Sequence, residues 1–192
     1  MPPVNCWNCG NTVEQIHFCD ACHSLQPPTT DYFDFFGLPR RLSIDLAELE
    51  RRFYALSRRL HPDVYFRRSP REQQFSLDAT AILNDAYRTL KDPVSRAAYL
   101  LRTEGYEPGG ERVPPELLEK VFEWNLAVEE ADATQLDEAR RKFTAMIEET
   151  GRELEAAFAG YDAGAPGALA RIRALLDRRS YIGKLLGSAE AR

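Results

Sequence analysis

The chain has 192 residues, 44% hydrophobic and 29% charged, with a formal net charge of −5 at neutral pH. That is the balance of a globular protein rather than a disordered or fibrous one, long enough for one good-sized domain or two to three small ones. Apolar runs last only a few residues, so no membrane span is expected. The charge is uneven. Residues 1–30 carry Glu14 and Asp20 but no Lys or Arg, residues 31–103 carry 13 basic against 10 acidic side chains, and residues 104–192 carry 12 against 18. A mildly basic middle between two acidic ends points to two partners of different charge, and away from nucleic acid.

Met1-Pro-Pro-Val runs at once into a cysteine pair, with no charged or apolar leader, so the expected location is the bacterial cytoplasm. All four cysteines lie in Cys6-x2-Cys9-x9-Cys19-x2-Cys22. Two such knuckles converge their thiolates on one tetrahedral ion, and Gly10 permits the tight turn after the first pair. In a reducing compartment this spacing predicts a metal site, with zinc the expected ion and iron the alternative. The ion would act as a staple, because thirty residues bury too little apolar surface to fold alone. His17 and His23 are substitute ligands in principle, and a redox dithiol would need only one of the pairs. No basic residue is present here to meet a phosphate.

Gln26-Pro-Pro-Thr-Thr30 is a short stiff connector. Leu46, Leu49, Phe53, Leu56 and Leu60 then recur at spacings of three and four, which predicts one helix face, with Asp45 and Glu48 at capping-box spacing in front. Pro62 ends this helix. Ser69-Pro70-Arg71-Glu72 is a start signal for the next, whose face runs through Phe75, Ala79, Ile82, Leu83, Ala86 and Leu90. A short helix from Val94 to Thr103 follows the break at Asp92-Pro93. Two antiparallel amphipathic helices thus flank a loop bearing His61, Pro62 and Asp63, and Tyr32, Phe33, Phe36 and Leu38 are placed to cover their apolar faces. Arg51 and Arg58 point away from the apolar stripe, with Arg52 and Arg59 on its flank.

Between Gly105 and Pro115 the chain is dense in Gly and Pro, which marks a second break. Three helical stretches follow, opened by Pro114 or Pro115, by Thr134 with Asp137, and by Pro166, and they predict an antiparallel bundle. In the first, Leu117, Val121, Trp124 and Val128 form a core face. Leu118, Phe122 and Leu126 form a second row bordered by Glu119, Glu123 and Glu130. An apolar strip with an acidic rim reads as a partner site. The fold expected is mainly α: a zinc-ribbon or rubredoxin-like module over residues 1–30, a helical domain over 31–103 and a three-helix bundle over 104–192.

Asp31-Tyr-Phe-Asp-Phe-Phe-Gly-Leu38, Leu60-His-Pro-Asp63 and Asn84-Asp-Ala-Tyr-Arg-Thr-Leu90 resemble the J domain. That resemblance implies that His61, Pro62 and Asp63, with Arg51, Arg52, Arg58 and Arg59, dock on a DnaK-type chaperone and couple docking to its ATP hydrolysis. The chain would then be an ATPase activator and no enzyme itself. The order of cysteine ribbon, J domain and acidic bundle is similar to the HscB family, the J-type co-chaperones of iron–sulfur cluster biogenesis. Cys6-Trp-Asn-Cys-Gly10, Phe18-Cys-Asp-Ala-Cys22, Leu25-Gln26-Pro27 and Asp92-Pro-Val-Ser-Arg-Ala-Ala-Tyr-Leu-Leu101 look like the variant with an N-terminal metal module. Membership implies that the bundle binds an IscU-type scaffold and delivers it to an HscA or DnaK-type chaperone. The scaffold-facing residues would be Leu118, Phe122, Glu123 and Glu130, with Tyr181 contributing from the last helix. Glu119 stands where an apolar residue is common and Leu126 where an acid is expected. Two other readings of the residues are a general J protein carrying unfolded clients and a redox or iron-handling factor built on the four cysteines.

Overall fold

The computed structural model describes residues 4–106 and 115–191, without the side chains of residues 4 and 115–118. It divides into two compact units, Met1–Asp92 and Pro93–Arg192. The architecture is mainly α with a cysteine-bearing ribbon at the start. Among the described residues no helix is long and apolar enough to cross a membrane.

In the first unit, β1 (Val4–Asn5) pairs antiparallel with β2 (Thr12–Val13), Val4 opposite Val13 and Asn5 opposite Thr12. The two cysteine pairs repeat one backbone pattern. Cys6 N–H donates to Asn11 O at 2.8 Å and Gly10 N–H to Cys6 O at 2.9 Å; Cys19 N–H donates to Ser24 O at 3.0 Å and His23 N–H to Cys19 O at 2.9 Å. The fourth residue after each leading cysteine takes a left-handed conformation, Gly10 at φ 76° and His23 at φ 58°. Such a turn aims several N–H groups inward at the sulfurs, and glycine takes it without steric cost.

Helix α1 (Tyr32–Phe36) starts on the Asp31 carboxylate, which accepts from Asp34 N–H, and ends at Gly37 with φ 60°. Helix α2 (Leu46–Leu60) is capped by Asp45, which accepts from Ala47 and Glu48 N–H. After α3 (Pro62–Tyr65), α4 (Pro70–Lys91) opens on the capping box of Ser69 and Glu72 expected from the sequence. Phe33, Phe35, Leu42, Leu49, Leu60, Leu83 and Leu90 form a dry core of this unit, each shielded fully from solvent. Burying each such side chain contributes about 1.5–3 kcal/mol. Leu46, read as the first residue of the α2 core stripe, is instead 48% exposed. It is the first helical residue, three positions ahead of the buried Leu49.

The second unit comprises α5 (Pro93–Thr103), α6 (Pro115–Glu130), α7 (Ala133–Asp162) and α8 (Ala168–Glu190). Helices α7 and α8 run antiparallel, since Arg140 donates to Ala189 O at 2.8 Å, Arg179 to Ile147 O at 2.8 Å, and Arg178 pairs with Glu153 at 3.3 Å. Val128, Leu136, Phe143, Ile182, Leu185 and Ala189 make the core at one end, with Val121 and Trp124 packed against it. Val121, Trp124 and Val128 of the α6 face read as the core face therefore do serve the core, while the Leu117 side chain lies outside the described residues. Two starts differ from expectation. Helix α7 is capped by Asp132 rather than Thr134, because Asp132 and Gln135 make a reciprocal capping box. Helix α8 begins after Gly167, at φ 75°, rather than at Pro166.

Candidate functional site

The four cysteine sulfurs lie within 4.8 Å of one another, with Cys6 to Cys22 and Cys9 to Cys19 each at 3.6 Å. A tetrahedral ion with metal–sulfur bonds of about 2.3 Å requires sulfurs about 3.8 Å apart, so the donor set fits one metal ion. Asn8 N–H and the Gln26 amide each approach Cys6 Sγ at 3.4 Å, while the Asn8 amide lies 3.7 Å from Cys22 Sγ. Such donors favour the thiolate form that a metal needs. Ser24, at 3.3 Å through its hydroxyl and also through its backbone, draws the Cys22 thiol down to about 6. A backbone hydrogen bond from Asn11 acts the same way on Cys9, yet desolvation and the three neighbouring sulfurs push that thiol up to about 11. Four thiolates this close repel one another until a cation joins them. Neither histidine belongs to the cluster: His23 follows it in the left-handed turn, and His17 is buried with Nε2 2.9 Å from Phe35 O. Burial lowers the His17 pKa against the opposing effect of that hydrogen bond, and the Arg59 charge lowers it further.

The His-Pro-Asp loop is held from behind. Ser76 Oγ donates to Leu60 O at 2.6 Å, Thr80 Oγ1 to the same oxygen at 3.3 Å, and Tyr65 O–H to Arg59 O at 3.2 Å. These bonds satisfy carbonyls that the end of α2 would otherwise leave open. His61 caps α3 by accepting Asp63 N–H on Nδ1 at 3.2 Å, and Pro62 is the first residue of that helical turn. In front, the His61 side chain is 53% exposed and that of Asp63 90%. Ser76 is completely buried, so Ser76→Ala removes a dry hydrogen bond and is expected to cost about 1–3 kcal/mol in a urea titration.

The predicted basic stripe is only partly available. Arg51 and Arg52 both bind Glu48, at 2.5 Å and 2.6 Å, and hydrogen bonds from Arg52, then Arg51, hold that carboxyl below its usual range. Arg52 also donates to Phe36 O at 2.7 Å and Gly37 O at 2.8 Å. The Arg59 guanidinium lies 4.2 Å from the Phe18 ring centroid. Arg58 is exposed on the solvent face. What the sequence did not flag is the segment just past Asp63. Val64 is 55% exposed and Phe66 78%, with exposed Arg67 and Arg68 beside them. Two apolar residues flanking a buried tyrosine give no periodicity from which exposure could have been read.

On α6, Phe122 is 71% exposed and Leu126 47%, and Glu119, Glu123 and Glu130 are exposed as well. The Leu118 side chain lies outside the described residues. Tyr181 on α8 is half-buried, and Lys184 of the same helix lies 5.3 Å from its ring centroid.

A His-Pro-Asp turn pinned between antiparallel helices defines the class: this is a J-domain protein, here joined to a helical bundle. Residues 31–99 match the DnaJ domain, and residues 113–190 match the HSCB C-terminal oligomerisation domain. The co-chaperone protein HscB homolog of Chromobacterium violaceum is 35% identical over 132 residues, 66% of this chain and 75% of that one. The chain belongs to the HscB family of J-domain co-chaperones. The mouse iron–sulfur cluster co-chaperone protein HscB is 40% identical over 108 residues, 53% of this chain, and the match spans 46% of the mouse protein's length. The crystal structure of human co-chaperone protein HscB superposes with a TM-score of 0.79 at 29% identity, covering 98% of each chain.

Proposed function

We propose that this protein binds an IscU-type iron–sulfur scaffold through its bundle and stimulates ATP hydrolysis by a DnaK or HscA-type chaperone through its J domain. Clamping of the scaffold by the chaperone would then promote cluster transfer, in the bacterial cytoplasm. The division of labour follows residues 1–30, 31–103 and 104–192. The observation that carries this reading is the His61-Pro62-Asp63 turn, rigidly backed and openly fronted. A loop fixed before contact loses little entropy on docking. Exposed Arg58, Arg67 and Arg68 suit an acidic partner surface, and Phe66 offers an apolar anchor next to Arg67 and Arg68. For the scaffold, Phe122 and Leu126 are exposed beside Glu123 and Glu130, and the helical spacing of the sequence would add Leu118 to that row, with Tyr181 contributing from α8. The four cysteines would hold one structural zinc ion through Cys6, Cys9, Cys19 and Cys22, and the closed set leaves no open position for a substrate.

Steady-state ATPase of the chaperone tests this reading. Turnover rises on adding the protein, and Phe66→Ala raises the concentration needed for half-maximal effect by about tenfold, as loss of a contact anchor worth over 1 kcal/mol would. ATPase that stays flat with wild type refutes the proposal.

A further inference from the structure

Trp7 stands inside the first cysteine pair, and His17 and Phe18 stand directly before the second. A tetracysteine site needs none of them as ligands. All three make contacts with the helices of the same unit, at two separate places. Trp7 and Phe75 of α4 meet edge to face, with ring centroids 6.0 Å apart at 80°, and the Arg71 guanidinium lies 4.8 Å from a Trp7 ring centroid. The indole N–H is tied to Leu25 O at 2.7 Å, which fixes its orientation. On the other side, Phe18 lies beneath the Arg59 guanidinium, and His17 meets Phe35 with centroids 4.6 Å apart while bonding its carbonyl.

The positions of these contacts matter. Arg59 is in the last turn of α2, two residues before His61, and Arg71 and Phe75 lie in the first two turns of α4. One knuckle therefore holds each of the two helices at the end that carries the His-Pro-Asp loop. The distance between Trp7 and Phe18 is set by the sulfurs beside them, since Cys6, Cys9, Cys19 and Cys22 share one cluster. We infer that the tetracysteine module is a clamp in which Trp7 and Phe18 are positioning residues for the His-Pro-Asp loop, so that metal occupancy sets how firmly the loop is held. Without the ion the two knuckles are no longer cross-linked, and each aromatic contact must be ordered separately. The clamp concerns this chain alone; its consequence for a chaperone rests on the function proposed above.

Hydrogen exchange on the full chain tests it, with zinc bound and after chelation. Trp7→Ala/Phe18→Ala keeps all four cysteines and should retain stoichiometric metal. The amides of residues 56–60 and 75–79 should nevertheless exchange about tenfold faster, the combined effect of one edge-on ring pair and two cation–π contacts. The chelated wild type should show the same acceleration, and Trp7→Phe should restore most of the protection. In the ATPase assay the double variant should need about fivefold more protein for half-maximal stimulation while reaching the same plateau. Unchanged exchange in the metal-loaded double variant overturns the clamp. Accelerated exchange, together with a wild-type protein that fails to stimulate any chaperone, overturns the proposed function and leaves the clamp standing. If the double variant loses its metal, Arg59→Gln/Arg71→Gln removes the contacts from the helix side. It should accelerate the same amides by about threefold, and no acceleration there also overturns the inference.

Discussion

Asp63→Asn is expected to abolish stimulation of the chaperone's ATPase while leaving the protein folded. The side chain is 90% exposed, and no described contact of the core depends on its charge. Its backbone N–H, the group that His61 caps, is unchanged by the substitution. What is lost is the carboxylate, whose described neighbour is the exposed His61 ring at 3.5 Å from Oδ2 and whose other face is open to a partner. Removing one side of a charge-assisted contact in a docked interface costs about 2–5 kcal/mol, hence a stimulation reduced by roughly 30-fold or more at subsaturating protein. Thermal unfolding should stay within about 2 °C of wild type, as for a surface substitution away from packed groups. Full stimulation by the variant would mean that this turn is not the coupling element.

Cys19→Ser is expected to have the largest effect on the N-terminal segment. Cys19 is fully buried and supplies one of the four clustered sulfurs. A serine hydroxyl cannot replace a thiolate on zinc, and three remaining sulfurs leave the ion open to chelators. Because the binding energy of a structural zinc, about 10–16 kcal/mol in small peptides, is also the folding energy of the segment, its loss should unfold residues 4–26. The helices of the first unit have their own dry core and should keep their far-ultraviolet signal. Metal analysis by mass spectrometry would read about one zinc per wild-type chain and little in the variant. Stoichiometric iron in a coloured wild-type protein would instead favour an iron-handling role for the cysteines.

Much of this was legible in the sequence because the signals are local. Ser69 and Glu72 announce a helix start within four residues, and the cysteine spacing carries its own geometry. The two rows of α6 were also legible, since helical periodicity separates Val121, Trp124 and Val128 from Phe122 and Leu126 whatever packs beside them. What escaped were contacts between distant segments. Nothing at Trp7 or Phe18 signals Phe75 or Arg59, because an aromatic residue near a cysteine pair has no periodic partner. The same contact changes the reading of the basic stripe: Arg59 and Arg52 sit on the expected flank, but one covers Phe18 and the other ties α2 to the end of α1. Helix α5, read as the close of the J domain, lies largely inside the residues that match that domain, and what the sequence did not signal there is the approach of Arg96 to within 5.6 Å of the Phe158 ring centroid.

The central claim joins a chaperone activator to a scaffold carrier, and the scaffold half is tested most directly by calorimetric titration of this protein with the cluster scaffold of its own organism. Saturable binding is predicted. Phe122→Ala/Leu126→Ala should weaken it by about 100-fold, because truncating two adjacent apolar anchors costs about 2–3 kcal/mol. The bundle core that includes Val128, Phe143 and Ile182 is untouched by these changes. Binding indifferent to the double substitution would contradict the proposed surface, and no binding by the wild type would contradict the account itself, leaving a general J protein in its place.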